Sequence, residues 1–211
     1  MSEAVVVSER SWTEPEPEFR ASFGMWVFLA TEILFFGGLF LAYAVLRSQN
    51  VEAFDEAGRH TSFFFGTLNT FLLITSSFVM TVAMGCNHRG DRALMRWMLL
   101  GTFALGVAFL ISKGLEYRGD LAEHLNPGRN FPVRLPAAQA FFAMYWAMTG
   151  LHAVHLTVGL GVVGRVWLIA RREKLPDNFN RIMDVSALYW HLVDVIWMMV
   201  YSIFYLVGRA T

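Results

Sequence analysis

From Phe23 to Tyr43 the chain runs for 21 residues with one charged side chain, Glu32, near its middle. At 1.5 Å per residue such a run reaches about 30 Å, the thickness of a bilayer's hydrocarbon core. Backbone groups in hydrocarbon must be satisfied within their own segment, so the run is predicted to be a transmembrane α-helix. A carboxylate at the centre of a span costs at least about 2.5 kcal/mol on insertion scales, and more if it faces lipid. Glu32 is therefore expected to have a purpose or a partner. Thr31 is adjacent but points elsewhere, so a partner must come from another helix, such as Asn69, Thr70 or a group in the fourth span.

Four more stretches have the same character. The predicted spans are Phe23–Leu46, Phe63–Cys86, Ala93–Glu116, Leu135–Ala170 and Val185–Gly208. All six prolines fall outside these spans or at their edges, which predicts unbroken helices. An all-α membrane bundle of five helices follows, occupying residues 23–211. A polar tail at 1–22 precedes it, with Glu14, Pro15, Glu16, Pro17 and Glu18 in sequence. Lacking an apolar core behind basic residues, this tail is read as flexible, cytoplasmic chain rather than a cleaved signal. The composition agrees, at 55% hydrophobic residues and a mean hydropathy of +0.44. With the N-terminus inside, nine Lys and Arg fall in inner segments and six in outer ones. The two short loops after spans two and four are basic, which predicts an N-in, C-out topology.

Several function classes drop out. Formal net charge is zero, so nothing steers the chain to nucleic acid. Cys86 is the only cysteine, which excludes an intrachain disulfide, a thiolate zinc or iron–sulfur site and a dinuclear copper centre with two bridging thiolates. No C-x-x-C-H, nucleophile, phosphate-loop or H-E-x-x-H motif is present. Broken helices and paired repeats, the marks of a secondary transporter, are absent from the pattern. Two haems and a copper would need about six intramembrane histidine ligands. The chain has six histidines in all, and His60, His88 and His124 lie in or beside loops.

Polar residues inside the spans remain to be explained. His152 and His155 are three apart and share a helix face, with Gly159 a turn further on. His191 and Asp194 have the same spacing and could hydrogen-bond along their helix. Lys113 and Glu116 make a third such pair, expected as an ion pair near the membrane interface. The plainest reading of each is a satisfied polar patch that locks helices together. The rival is a metal site, since imidazole with carboxylate suits zinc, copper or iron. That rival wants three or four converging ligands, and only His152, His155, His191 and Asp194 are available, so no metal is expected. Trp and Tyr residues at helix ends are read as interface anchors.

These segments resemble subunit III of the haem–copper oxidases. Glu32 to Phe40 is similar to the family's helix with a buried glutamate and a following aromatic run. Leu68-Asn69-Thr70 and Glu116-Tyr117 match further family positions. Thr149-Gly150-Leu151-His152-Ala153-Val154-His155 resembles the T-G-x-H-x-x-H motif. Tyr189-Trp190-His191-Leu192-Val193-Asp194-Val195-Ile196-Trp197 resembles Y-W-H-F-V-D-x-x-W. The resemblance implies an accessory subunit of a proton-pumping terminal oxidase in a bacterial plasma membrane. Such a subunit is seated on subunit I, near subunit II and other respiratory subunits. It carries no redox centre; haems and copper lie in partner subunits, and it holds structural phospholipid. By the same resemblance Glu32 is the carboxyl that hydrophobic carbodiimides modify. His152, His155, His191, Asp194, Glu116 and Lys113 would be structural or lipid-facing. Larger members have seven helices with lipid in a V-shaped cleft beside the first two; here only the last five are matched. Five-helix forms also resemble the accessory protein of nitric oxide reductases. Lys113, which stands where some members have Gln, keeps that reading open beside a quinol oxidase subunit III.

Overall fold

The computed structural model describes residues 17–125 and 136–206, and side chains from 23 and from 137 within them. Six α-helices follow in order: α1 (Pro17–Gln49), α2 (Val51–Arg59), α3 (Phe63–His88), α4 (Arg92–Ala122), α5 (Pro136–Ala170) and α6 (Phe179–Tyr201). A π-helical turn, Ser202–Leu206, ends the described chain. Five helices are long and apolar enough to cross a membrane, as predicted. Helix α1 begins at Pro17, inside the segment expected to be a tail; residues 1–16 lie outside the described residues. Pro17 and Pro136 open their helices, where a missing N–H costs nothing.

The turn between α3 and α4 shows how the sequence sets a boundary. Gly90 takes φ +77°, a conformation that favours glycine. Asp91 follows, and its side chain accepts from Leu94 N at 3.1 Å, capping α4. Short α2 escaped the sequence reading because its nine residues are only half apolar. It buries Ala53, Phe54 and Ala57, with Phe54 edge-on to Tyr43 and Phe141.

Helices α3, α4, α5 and α6 form a closed ring, each packed on the next and α6 on α3. Helix α1 lies outside the ring against α5 and α6. Among its described side chains it buries only a seam of Leu29, Phe36 and Tyr43, seven residues apart, while Trp26, Ile33, Leu34 and Leu41 stay exposed. Tyr43 Oη donates to Ile203 O in the π turn at 2.7 Å, tying α1 to the end of the chain.

Lipid tails are as apolar as leucine, so helices in a membrane associate through close packing and polar contacts. The ring centre follows that rule. Trp190 is fully buried in a slot floored by small residues of three helices. A Cβ on Gly106 would lie 2.8 Å from Trp190 Cη2, and one on Gly159 3.2 Å from its Cε3. Ser76 completes the slot by accepting from Trp190 Nε1 at 3.2 Å. Trp197 likewise donates to Thr70 Oγ1 at 3.1 Å. Trp190, Trp197, Tyr145 and Tyr205 are thus core residues and not interface anchors, because each finds an acceptor or a polar cluster inside the bundle. Trp26 and Trp97 are exposed, as anchors should be.

The slot makes a test. Gly106→Ala should cost about 1–3 kcal/mol by overpacking and lower the thermal-unfolding midpoint of the purified protein. Gly161→Ala, whose added Cβ meets nothing within 4 Å, should leave the midpoint unchanged. Equal midpoints would show that Trp190 is not held by the glycine floor.

Candidate functional site

Three polar systems lie between the helices. The first is sealed in the ring. Lys113 on α4 donates to Glu116 Oε2 at 2.9 Å, to Tyr145 Oη at 2.9 Å and to Tyr205 Oη at 2.6 Å. All three ammonium protons are thereby used. Tyr205 donates to Glu116 Oε1 at 2.6 Å. Tyr145 Oη lies 2.8 Å from the same oxygen and 3.0 Å from Asp120 Oδ2, so its one proton serves one carboxylate at a time. Rings of Tyr117, Tyr145, Trp197 and Tyr205 surround the ammonium at 4.7–5.6 Å from their centroids. The Lys113 and Glu116 side chains are 2% and 1% exposed, so the expected ion pair exists but lies within the protein rather than against water. Asp120 was missed because α4 continues a turn past the predicted end. The spacing 113, 116, 120 marks one stripe of a helix and was the available signal.

The second system joins α1 to α5. Glu32 Oε2 lies 3.0 Å from His155 Nε2, an ion-pair distance without hydrogen-bond geometry, so the nearest polar group does come from the fourth span. Asn69 has no hydrogen-bond partner among the described residues, and Thr70 is taken by Trp197. His155 Nδ1 lies 2.8 Å from Leu151 O. A carbonyl only accepts, so Nδ1 carries a proton and Nε2 faces the acid. Phe36 packs edge-on to the imidazole at 5.3 Å, and Tyr189 donates to His155 O at 3.0 Å. The side chains of His155 and Glu32 remain 20% and 16% exposed.

The third system lies between α3 and α6. His191 Nδ1 is 2.6 Å from Ser77 Oγ, in place of the bond to Asp194 that their spacing suggested. Asp194 lies beside Ser77, and neither of its carboxylate oxygens has a hydrogen-bond partner among the described residues. Both line a cavity of about 270 Å³ with Thr70 and Trp197. Ser77 was missed because a lone serine in an apolar helix carries no pattern.

The two histidines of α5 do not act together. Three residues turn a helix through 300°, which leaves them about 60° apart. His155 faces α1, while His152 is buried between Phe109 and Trp197, with centroids at 5.6 and 5.0 Å. Neither ring nitrogen of His152 has a hydrogen-bond partner among the described residues. No group of three or more metal-ligating side chains converges among the described residues.

Five long apolar helices with polar side chains gripped between them define a multi-pass membrane protein. The family model for cytochrome c oxidase subunit III matches residues 18–209, and the chain belongs to the subunit III family of the haem–copper oxidases. Cytochrome c oxidase subunit 3 of Thermostichus vulcanus is 33% identical over 199 residues, 92% of this chain and 90% of that protein. The Synechocystis sp. protein of the same description is 31% identical, covering 90% of this chain and 76% of its own length. Cytochrome bo(3) ubiquinol oxidase subunit 3 of Pseudomonas aeruginosa is 29% identical, covering 88% and 84%.

The sealed cluster yields a prediction. Lys113→Met leaves Glu116 buried without its cation and should cost about 3–5 kcal/mol. Adding Glu116→Gln removes the orphaned charge and should return part of that loss. Thermal midpoints of the purified proteins check both, and a single variant as stable as its parent would remove the ammonium from any role in holding the cluster.

Proposed function

We propose that this chain is a non-catalytic subunit of a proton-pumping terminal oxidase of aerobic electron transport. In this reading it sits on the catalytic subunit I, beside subunit II and other respiratory subunits, in a bacterial plasma membrane. Haems and copper belong to those partners. The observation that carries the reading is the family match, which runs through all five spans from 18 to 209. Helix α1 adds support, since its thin buried seam leaves most of its apolar surface to lipid or a partner.

The topology is read as N-in, C-out. The end of α3, the start of α4, the end of α5 and the start of α6 meet at one end of the ring, which holds Arg89, Arg92, Arg96, Arg171, Arg172, Lys174 and Arg181. Arg92 donates to Glu173 O at 3.1 Å and Arg96 to Ala170 O at 2.8 Å, drawing the two loops together. Such a basic end belongs on the cytoplasmic side.

Cytochrome c is the preferred electron donor, because the relatives with the higher identities are named for cytochrome c oxidase. Quinol is the second reading, favoured by the ubiquinol and quinol oxidase subunits 3 of Pseudomonas aeruginosa and Bacillus subtilis.

Affinity purification of the tagged chain from its own membranes should bring down a haem-bearing subunit that reduces oxygen. A complex that reduces nitric oxide and not oxygen would move the chain to the accessory protein of a nitric oxide reductase. Within the complex, Glu32→Gln should preserve assembly, haem content and most of the initial rate, read by haem spectra and oxygen uptake. Loss of all activity at the first turnover would instead make Glu32 an obligatory proton carrier.

A further inference from the structure

Between α3 and α6 lies a buried carboxylate that the chain itself does not satisfy. Asp194 is 6% exposed, and neither of its oxygens has a hydrogen-bond partner among the described residues. Two other buried carboxylates are treated differently. Glu116 accepts from Lys113 and Tyr205, and Asp120 lies against the Tyr145 hydroxyl. Asp194 instead lines the cavity of about 270 Å³, together with Ile74, Ser77, His191, Val195 and Met198 among others. Ile74, Val195 and Met198 are 49, 56 and 47% exposed, so the cavity opens on the outer surface between the two helices. Its rim is apolar and its inner wall carries the acid.

The chain has no cation to offer there. Helix α3 contains neither Lys nor Arg. Helix α6 contains only Arg181, about 20 Å away along the axis. Lys113 spends its three protons in the sealed cluster, Arg47 pairs with Asp55, and Arg165 lines the groove between α4 and α5. Ser77 Oγ is engaged by His191 Nδ1 at 2.6 Å. Depth narrows the choice of donor further. Asp194 stands near the middle of its span, about 18 Å from Leu206 and about 22 Å from Phe179. A hydrocarbon core about 30 Å thick keeps lipid headgroups about 15 Å from its midplane. A headgroup ammonium therefore stays well short of this acid, and an acyl chain in the cavity gives the carboxylate nothing.

We propose that this cavity receives a basic side chain, Lys or Arg, carried at mid-membrane on a transmembrane helix of another subunit. Charge complementarity sets the choice. Ionisable side chains within a span pair with one another, because each is costly there alone. The surface around the opening suits such a helix, since Phe71 and Phe78 stand 67 and 68% exposed along α3 and Val195 and Met198 along α6. An apolar helix face lies against those side chains, and its one cation enters between Ile74 and Val195 to reach the Asp194 oxygens. The pairing is directional, so it fixes the register of the incoming helix as Lys113 fixes the ring. The proposal rests on the reading that the chain is one subunit of a membrane complex, and gives one contact of that complex a residue and a charge.

The test uses the whole complex, purified through a tag on this chain from its own membranes. Ile74 and Val195 are replaced in turn by a diazirine-bearing aliphatic amino acid, the complex is irradiated, and adducts are mapped by peptide mass spectrometry. Both positions should cross-link to one transmembrane segment of another subunit, with a Lys or Arg within a helical turn of the adduct. Adding Asp194→Asn should cut the cross-link yield at least about tenfold, because it leaves the partner's cation buried and unpaired. Replacing that basic residue with Met in the Asp194→Asn background should return most of the yield. Adducts with lipid alone, a cross-linked segment without a basic residue, or a yield that Asp194→Asn leaves unchanged would each overturn the proposal. The cross-link map with Asp194 intact decides the matter even where the Asn variant fails to fold. Co-purification of a haem-bearing subunit with the parent chain reports separately on the oxidase reading.

Discussion

Lys113 is the point on which the bundle turns. A buried ammonium without partners would cost several kcal/mol. Here each of its protons has an acceptor and its charge has aromatic faces around it. Those acceptors come from α4, α5 and the π turn after α6, so meeting the needs of one charge fixes the relative positions of three elements. The π turn is part of the same demand. It brings Tyr205 to Lys113 and sets the Tyr205 ring so close to Gly66 that α3 tolerates no side chain there. Hydrophobic burial cannot rank one helix arrangement over another when the solvent is hydrocarbon. Directional contacts of this kind, with the Trp190 slot below them, can.

Helix α1 is held differently. It contributes no residue to the Lys113 cluster and meets the ring through Leu29, Phe36 and Tyr43, the Glu32–His155 contact and one hydroxyl at its end. A helix so lightly buried is the natural place for the protein to meet something else. The outer face between α4 and α5 differs again, for it is grooved, with arginines along it, rather than smooth and apolar.

Much of this was legible in the sequence because a bilayer enforces simple rules. Uncharged runs of sufficient length could only be spanning helices, and all five appear where the apolar pattern put them. Boundaries were less legible. Helix α4 runs on to Ala122 because Asp120 finds Tyr145 and stays helical despite its charge, a tertiary contact that hydropathy does not register. Pair spacing identified Lys113 with Glu116 correctly, since both lie on one helix. It misassigned His191, whose partner Ser77 comes from another helix, and it joined His152 to His155, which the helical turn sends to different neighbours. Aromatic residues misled for a related reason. A tryptophan near the end of an apolar run, as Trp190 is, reads as an anchor until the small residues opposite it, Gly106, Gly159 and Ser76, are seen to form its slot.

The contrast between two of the interior carboxylates, Glu116 and Glu32, bears on what each can do. Glu116 is enclosed by donors on both oxygens and is 1% exposed, so no solute moving in the bilayer can reach it without opening the ring. Glu32 has one partner and stands on the loosely held helix at 16% exposure. Glu32 is thus the more accessible of the two from the bilayer, while Tyr43 still ties its helix to the π turn that carries Tyr205 into the Lys113 cluster. Leu151 O fixes the orientation of the His155 ring, which turns Nε2 toward Glu32.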